Sequence, residues 1–129
     1  MAALTLLLAS TLFGGMVFFS FGFAPVLFAQ LPMAQVRPLL RGTFPYYYLS
    51  LIGVSAIASA AAFTQSQRAG LLLALICMST VYARQILMAQ INSATDGGDE
   101  KLFKRLHGLS VGIQLVQIGL AAWAVVLLG

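Results

Sequence analysis

The chain has 129 residues, 60% of them hydrophobic and 8% charged, with a net charge of +4 and a mean hydropathy of +0.96. A soluble domain of this length needs far more polar surface, so the class is integral membrane. The basic residues fall between apolar runs rather than along one polar face, which excludes a nucleic-acid-binding surface and makes the charge a topology signal.

A membrane helix needs about 20 mostly apolar residues. Four such runs occur in chain order, over residues 4–29, 44–63, 69–91 and 106–128. They predict an all-α integral membrane protein, four transmembrane helices in one antiparallel bundle that takes the whole of residues 1–129 as a single domain.

The first run carries Gly14, Gly15 and Gly22, small residues that let helices approach closely where lipid offers no hydrophobic drive for association. No Lys or Arg precedes Arg37. The basic region of a signal peptide is therefore missing, and the run reads as a span. The connection that follows, residues 30–43, is punctuated by Pro32 and Pro38.

The second span opens on Tyr46, Tyr47 and Tyr48, an expected interfacial belt. A short connection, Thr64 to Arg68, leads into the third span. Cys77 lies there in an apolar run, without a second cysteine in the chain. It reads as a small buried hydrophobe.

Arg84 is the costly residue of the third span. Counted back from Ile91 it sits roughly 10 Å below the interface. A charge there costs on the order of 2–3 kcal/mol, so it should turn to the bundle and find a partner. No Asp or Glu lies in any span. That leaves carbonyls, hydroxyls, water, lipid phosphate or a bound anion as partners.

The third connection, residues 92–105, has the Gly97–Gly98 pair and acidic composition of a flexible loop. Asp99 and Glu100 suit the positive end of the last helix. The fourth span has two faces. Gly108 and Gly112 form a small-xxx-small pair continued by Gly119, while His107, Ser110, Gln114 and Gln117 share a polar arc about 80° wide. Val116 and Trp123 lie opposite that arc and are expected to face lipid.

Arg37, Arg41, Lys101, Lys104 and Arg105 all fall in the first and third connections, against Arg68 on the other side. The bias places connections 30–43 and 92–105 in the cytoplasm and both termini outside. The expected location is a bacterial inner membrane. At the cytoplasmic end the starts of spans two and four meet the end of span three. Arg84, His107 and Tyr47 are expected to converge there, with Ser110, Gln114 and Gln117 continuing the polar track inward.

Several stretches in order, "FAPVLFAQLP", "TFPYYY", "VYARQILMAQIN" and "FKRLHGLS", make the chain resemble the transmembrane-protein-205-like family, small four-span membrane proteins of unknown function. Pro45, Tyr47, Arg84, His107, Gly108 and Ser110 fall on its motif positions. Through "GGMVFF" and the four-helix plan the chain is also distantly similar to copper-resistance-D-type and protoporphyrinogen-oxidase-like membrane bundles. Some of those bind haem, a fold-level analogy.

Three function classes follow. In the first, the Arg84–His107–Tyr47 site binds an anionic ligand or cofactor, either a lipid head group or haem b. His107 would then be a single axial ligand, and Arg84 would hold a propionate or phosphate. One histidine per chain gives no bis-histidine ligation without a homodimer. The second class is a non-catalytic structural or accessory subunit that docks through small-residue faces on itself or a larger membrane complex. The third is an oligomeric exporter of small molecules or metal drugs, with Met16, Met78 and Met88 as soft copper(I) ligands. Enzymes rank below all three, because the spans hold no Ser–His–Asp set, paired carboxylates or metal cluster.

Overall fold

A computed structural model describes residues 2–129, and among these every regular element is helical. Four long helices follow one another: α1, Ala2–Gln30; α2, Met33–Ala62; α3, Gln67–Asp96; and α4, Glu100–Leu128. Each is long and apolar enough to cross a membrane. Each packs along its neighbours in sequence, and α4 closes the ring against α1. The result is an up-down-up-down bundle, as short connections between antiparallel neighbours require.

The core is built from Leu12 and Met16 of α1, Tyr48, Leu51 and Ala58 of α2, Leu73 and Ile76 of α3, and Ala121 and Ala124 of α4. The contribution of α4 is distinctive. Its buried residues are only Gln117, Ala121 and Ala124, so it lies close against the bundle on alanines.

The connections are tighter than the sequence suggests. The segment 92–105, expected to be a flexible loop, is helical except at Gly97–Asp99. Gly98 there has φ +70°. The amide of Asp99 donates to the Ala94 carbonyl and that of Gly98 to the Thr95 carbonyl, the paired bonds of a Schellman C-cap. The Asp99 carboxylate then accepts from the Leu102 amide and caps α4, as the sequence indicated. Segment 30–43 likewise turns only at Leu31–Pro32, after which α2 runs through both Pro38 and Pro45. Polar composition stops a helix from being lipid-soluble; it does not stop the helix.

At about 1.5 Å per residue, helices of 29–30 residues reach roughly 45 Å, well beyond a hydrocarbon layer of about 30 Å. Three contacts fix the register of α2 on α3: Ser59 Oγ donates to the Gly70 carbonyl at 2.8 Å, Cys77 Sγ lies 3.8 Å from the Ile52 carbonyl, and Arg84 Nε donates to the Pro45 carbonyl at 3.2 Å. Counted from the Ala62–Gln67 end, the Pro45–Arg84 level is about 26 Å away. A hydrocarbon layer of about 30 Å starting at that end would reach just past this level. The stretches of α2 and α4 beyond this level carry Arg37, Arg41, Lys101, Lys104 and Arg105. Such a layer would hold Arg84 nearer the interface than the roughly 10 Å depth counted along α3 alone. The difference arises because the apolar run of α3 overshoots that of α2.

Candidate functional site

The Pro45–Arg84 level is where helix geometry departs from regular α. A π-helical turn occupies Phe18–Phe23 of α1, another Ala83–Leu87 of α3, and α2 carries Pro45. Such turns are rare and gather at functional positions. Here they accompany the polar side chains that join the helices.

Of the polar arc of α4, Ser110, Gln114 and Gln117 reach neighbouring helices, and each meets a different partner. Ser110 Oγ and Tyr48 OH of α2 lie 3.4 Å apart. One turn further on, Gln114 Nε2 donates to Ser20 Oγ of α1 at 3.0 Å and also to the Tyr47 hydroxyl of α2. Gln117 Nε2 reaches α3, donating to Ser79 Oγ at 2.7 Å and Thr80 Oγ1 at 3.0 Å. Three side chains at successive turns therefore tie α4 to all three other helices. Among the described residues no buried side-chain nitrogen or oxygen lacks a partner, as a low-dielectric interior demands.

Aromatic rings enclose this junction. Phe19 stacks on Tyr47 with centroids 3.9 Å apart, and Phe44 sits edge-on to both. On the outer side of the same rings a shallow groove of about 310 Å³ runs between α1 and α2, bordered by Phe18, Phe23, Thr43 and Tyr46.

The structure brings Tyr47 together with Gln114, but not with Arg84 or His107. Arg84 lies in the α2–α3 seam, where Nε holds the Pro45 carbonyl and Nη1 donates to Gln85 Oε1 at 3.0 Å. His107 is exposed at the start of the α4 arc, its ring parallel to that of Phe103 at 5.7 Å. His107 and Arg84 are engaged with different neighbours, and among the described residues no hydrogen bond or ring contact joins either to Tyr47 as a shared haem site would require. Nor do the described residues contain a group of three or more His, Cys, Asp or Glu placed to hold a metal ion.

The glycines also lie elsewhere than close packing within the chain requires. A Cβ built on Gly14, Gly15, Gly108, Gly112 or Gly119 meets nothing within 4 Å, and one on Gly22 meets only the Phe18 ring of its own turn. Gly108, Gly112 and Gly119 share an exposed face of α4 with Leu115, Trp123 and Val126. Val116 and Trp123 point outward as anticipated. The glycine that does pack is Gly70, which periodicity in α4 could not reveal. A Cβ there would stand 2.6 Å from the Phe63 ring.

Between the start of α2 and the end of α3, Arg41 donates from both Nη atoms to the two Asp96 carboxylate oxygens at 2.8 and 2.9 Å. The paired hydrogen bonds hold the Asp96 carboxyl below its ordinary range, although both residues are exposed.

Residues 7–100 match the family described as a domain of unknown function, DUF4149. No curated protein and no solved structure matches the chain.

Proposed function

We propose, from the premise that the chain belongs to this DUF4149 family, that it is a non-catalytic membrane subunit acting through its lipid-facing surface. Its role would be to dock a further transmembrane helix on the Gly108–Gly112–Gly119 face of α4. The observation that carries this reading is the open space beside all three glycines. Three side chains are absent from one stripe of a helix whose inner face already packs on Ala121 and Ala124. Small residues at four-residue spacing let a second helix approach to backbone distance, where van der Waals contact and Cα–H···O bonds hold it.

The interior supports the same reading. Ser110, Gln114 and Gln117 spend their hydrogen bonds on neighbouring helices, leaving them as the bundle's own fastening. The simplest partner is a second copy, because a single face crossing itself about a two-fold axis is self-complementary. The resemblance to transmembrane-protein-205-like proteins accords with a small bundle of this kind and brings no substrate.

Energy transfer between donor- and acceptor-labelled copies in vesicles tests the proposal. Transfer that saturates at low protein-to-lipid ratio and falls to the random-collision level in Gly112→Leu supports it. Transfer at the collision level in the unaltered chain removes it.

A further inference from the structure

We propose that Arg84 holds the phosphate of an anionic membrane lipid at the outer edge of the α2–α3 seam, a site separate from the α4 face. A guanidinium carries five N–H donors in a rigid planar fork and has no neutral form available in a protein. The structure accounts for two of them, Nε on the Pro45 carbonyl and one Nη1 hydrogen on Gln85 Oε1. The Nη2 edge has no hydrogen-bond acceptor among the described residues. It is not buried, since no buried side-chain nitrogen is left unpartnered, and Arg84 as a whole is partly exposed.

Among the described residues no carboxylate pairs with this charge, the salt bridge present being Arg41–Asp96. The three acidic residues are Asp96, Asp99 and Glu100, all at the α3–α4 turn. Asp96 is engaged with Arg41, and Asp99 caps α4. The charge must therefore be met from outside the protein. At the edge of a hydrocarbon layer the abundant anionic acceptor is lipid phosphate.

Three features make this more than a loose surface cation. The bonds to Pro45 and Gln85 fix the plane of the fork, so its free edge is presented in one orientation, suited to bidentate phosphate. The level is set by the α2–α3 register rather than by the side chain's own flexibility. One turn deeper on the same two helices, Leu49 and Val81 are exposed at 51% and 40%. They give an acyl chain an apolar surface directly below the head group.

Native mass spectrometry of the protein released from nanodiscs containing equal phosphatidylglycerol and phosphatidylcholine reads the site. The expected result is selective retention of phosphatidylglycerol by the unaltered chain. Arg84→Ala should lower that retention about tenfold, the scale of one charge-assisted pair, and Arg84→Lys should keep part of it because charge survives while the fork is lost. Arg68→Ala, at the opposite end of the bundle, should retain lipid as the unaltered chain does.

Circular dichroism identifies any variant that fails to fold. Should Arg84→Ala do so, the comparison of Arg84→Lys with the unaltered chain decides. Undiminished phosphatidylglycerol adducts in the folded Arg84 variants overturn the proposal. So does loss of the adducts to millimolar inorganic phosphate, which would make the ligand a soluble anion. Their persistence under phosphate supports the lipid.

Discussion

The guanidinium of Arg84 reaches the carbonyl of Pro45 at 3.2 Å across the α2–α3 seam, while His107 stacks on Phe103 of its own helix α4. Two residues further along α2, Tyr47 turns the other way, to Gln114 of α4 and beside Ser20 of α1. The polar residues of one membrane level are thereby divided into three settings: an internal fastening, a seam cation and an exposed imidazole. Each setting has its own measurable consequence.

Gln117 is 3% exposed and donates to two hydroxyls of α3. Those hydroxyls, on Ser79 and Thr80, themselves donate to the Ile76 carbonyl, so removing Gln117 strands no donor. Gln117→Leu should therefore cost only about 1 kcal/mol, typical of an interhelical hydrogen bond in a membrane protein. Gln117→Ala should cost more, because it also opens a cavity. Unfolding in mixed sodium dodecyl sulfate micelles gives both values, and equal losses would show that the hydrogen bonds alone hold α4.

At Gly70, Ala requires the Phe63 ring to move, since the new Cβ would sit at 2.6–2.8 Å from three of its atoms. Gly70→Ala should destabilise the bundle by about 1–3 kcal/mol. In a Phe63→Ala background the same change should be much milder. A double-mutant cycle of unfolding free energies measures that coupling.

Gly98 closes α3 in the left-handed region at φ +70°. Gly98→Ala should destabilise by roughly 1 kcal/mol, and Gly98→Asn by less, because asparagine tolerates this conformation. Thermal unfolding followed by circular dichroism distinguishes the two.

The concentration of Arg37, Arg41, Lys101, Lys104 and Arg105 at one end of the bundle predicts that this end is cytoplasmic. In a Cys77→Ser background, Thr95→Cys should resist a membrane-impermeant maleimide applied to intact cells, while Gln65→Cys should react. The reverse pattern would invert the orientation.

The four spans were legible because about 20 apolar residues in a row have few alternatives to a membrane helix. The 3.6-residue period puts His107, Ser110, Gln114 and Gln117 on one arc; Ser110, Gln114 and Gln117 bond to other helices, whereas His107, at the exposed helix start, does not. Helix ends were not legible. Asn92 and Ser93 look like loop residues, yet a Schellman turn at Gly98 and the Asp99 cap compress the connection to three residues.

Partner assignments were not legible either. The depth of Arg84 depends on how far α3 slides along α2, which no single helix records. The glycine pattern of α4 says that backbone can be approached, and is silent on whether the approaching helix belongs to the same chain. The packing of Gly70 leaves no periodic trace, because its neighbour Phe63 comes from the preceding helix end.

The most direct test of the central proposal is cysteine cross-linking in native membranes, again in a Cys77→Ser background. Leu115→Cys lies on the exposed glycine face at 52% exposure, and Ala121→Cys lies on the inner face at 0%. Docking of a second copy on α4 predicts that mild oxidation yields a disulfide-linked dimer from Leu115→Cys and none from Ala121→Cys, and that adding Gly112→Leu abolishes the dimer. A monomeric Leu115→Cys chain, or a dimer indifferent to Gly112→Leu, would contradict it.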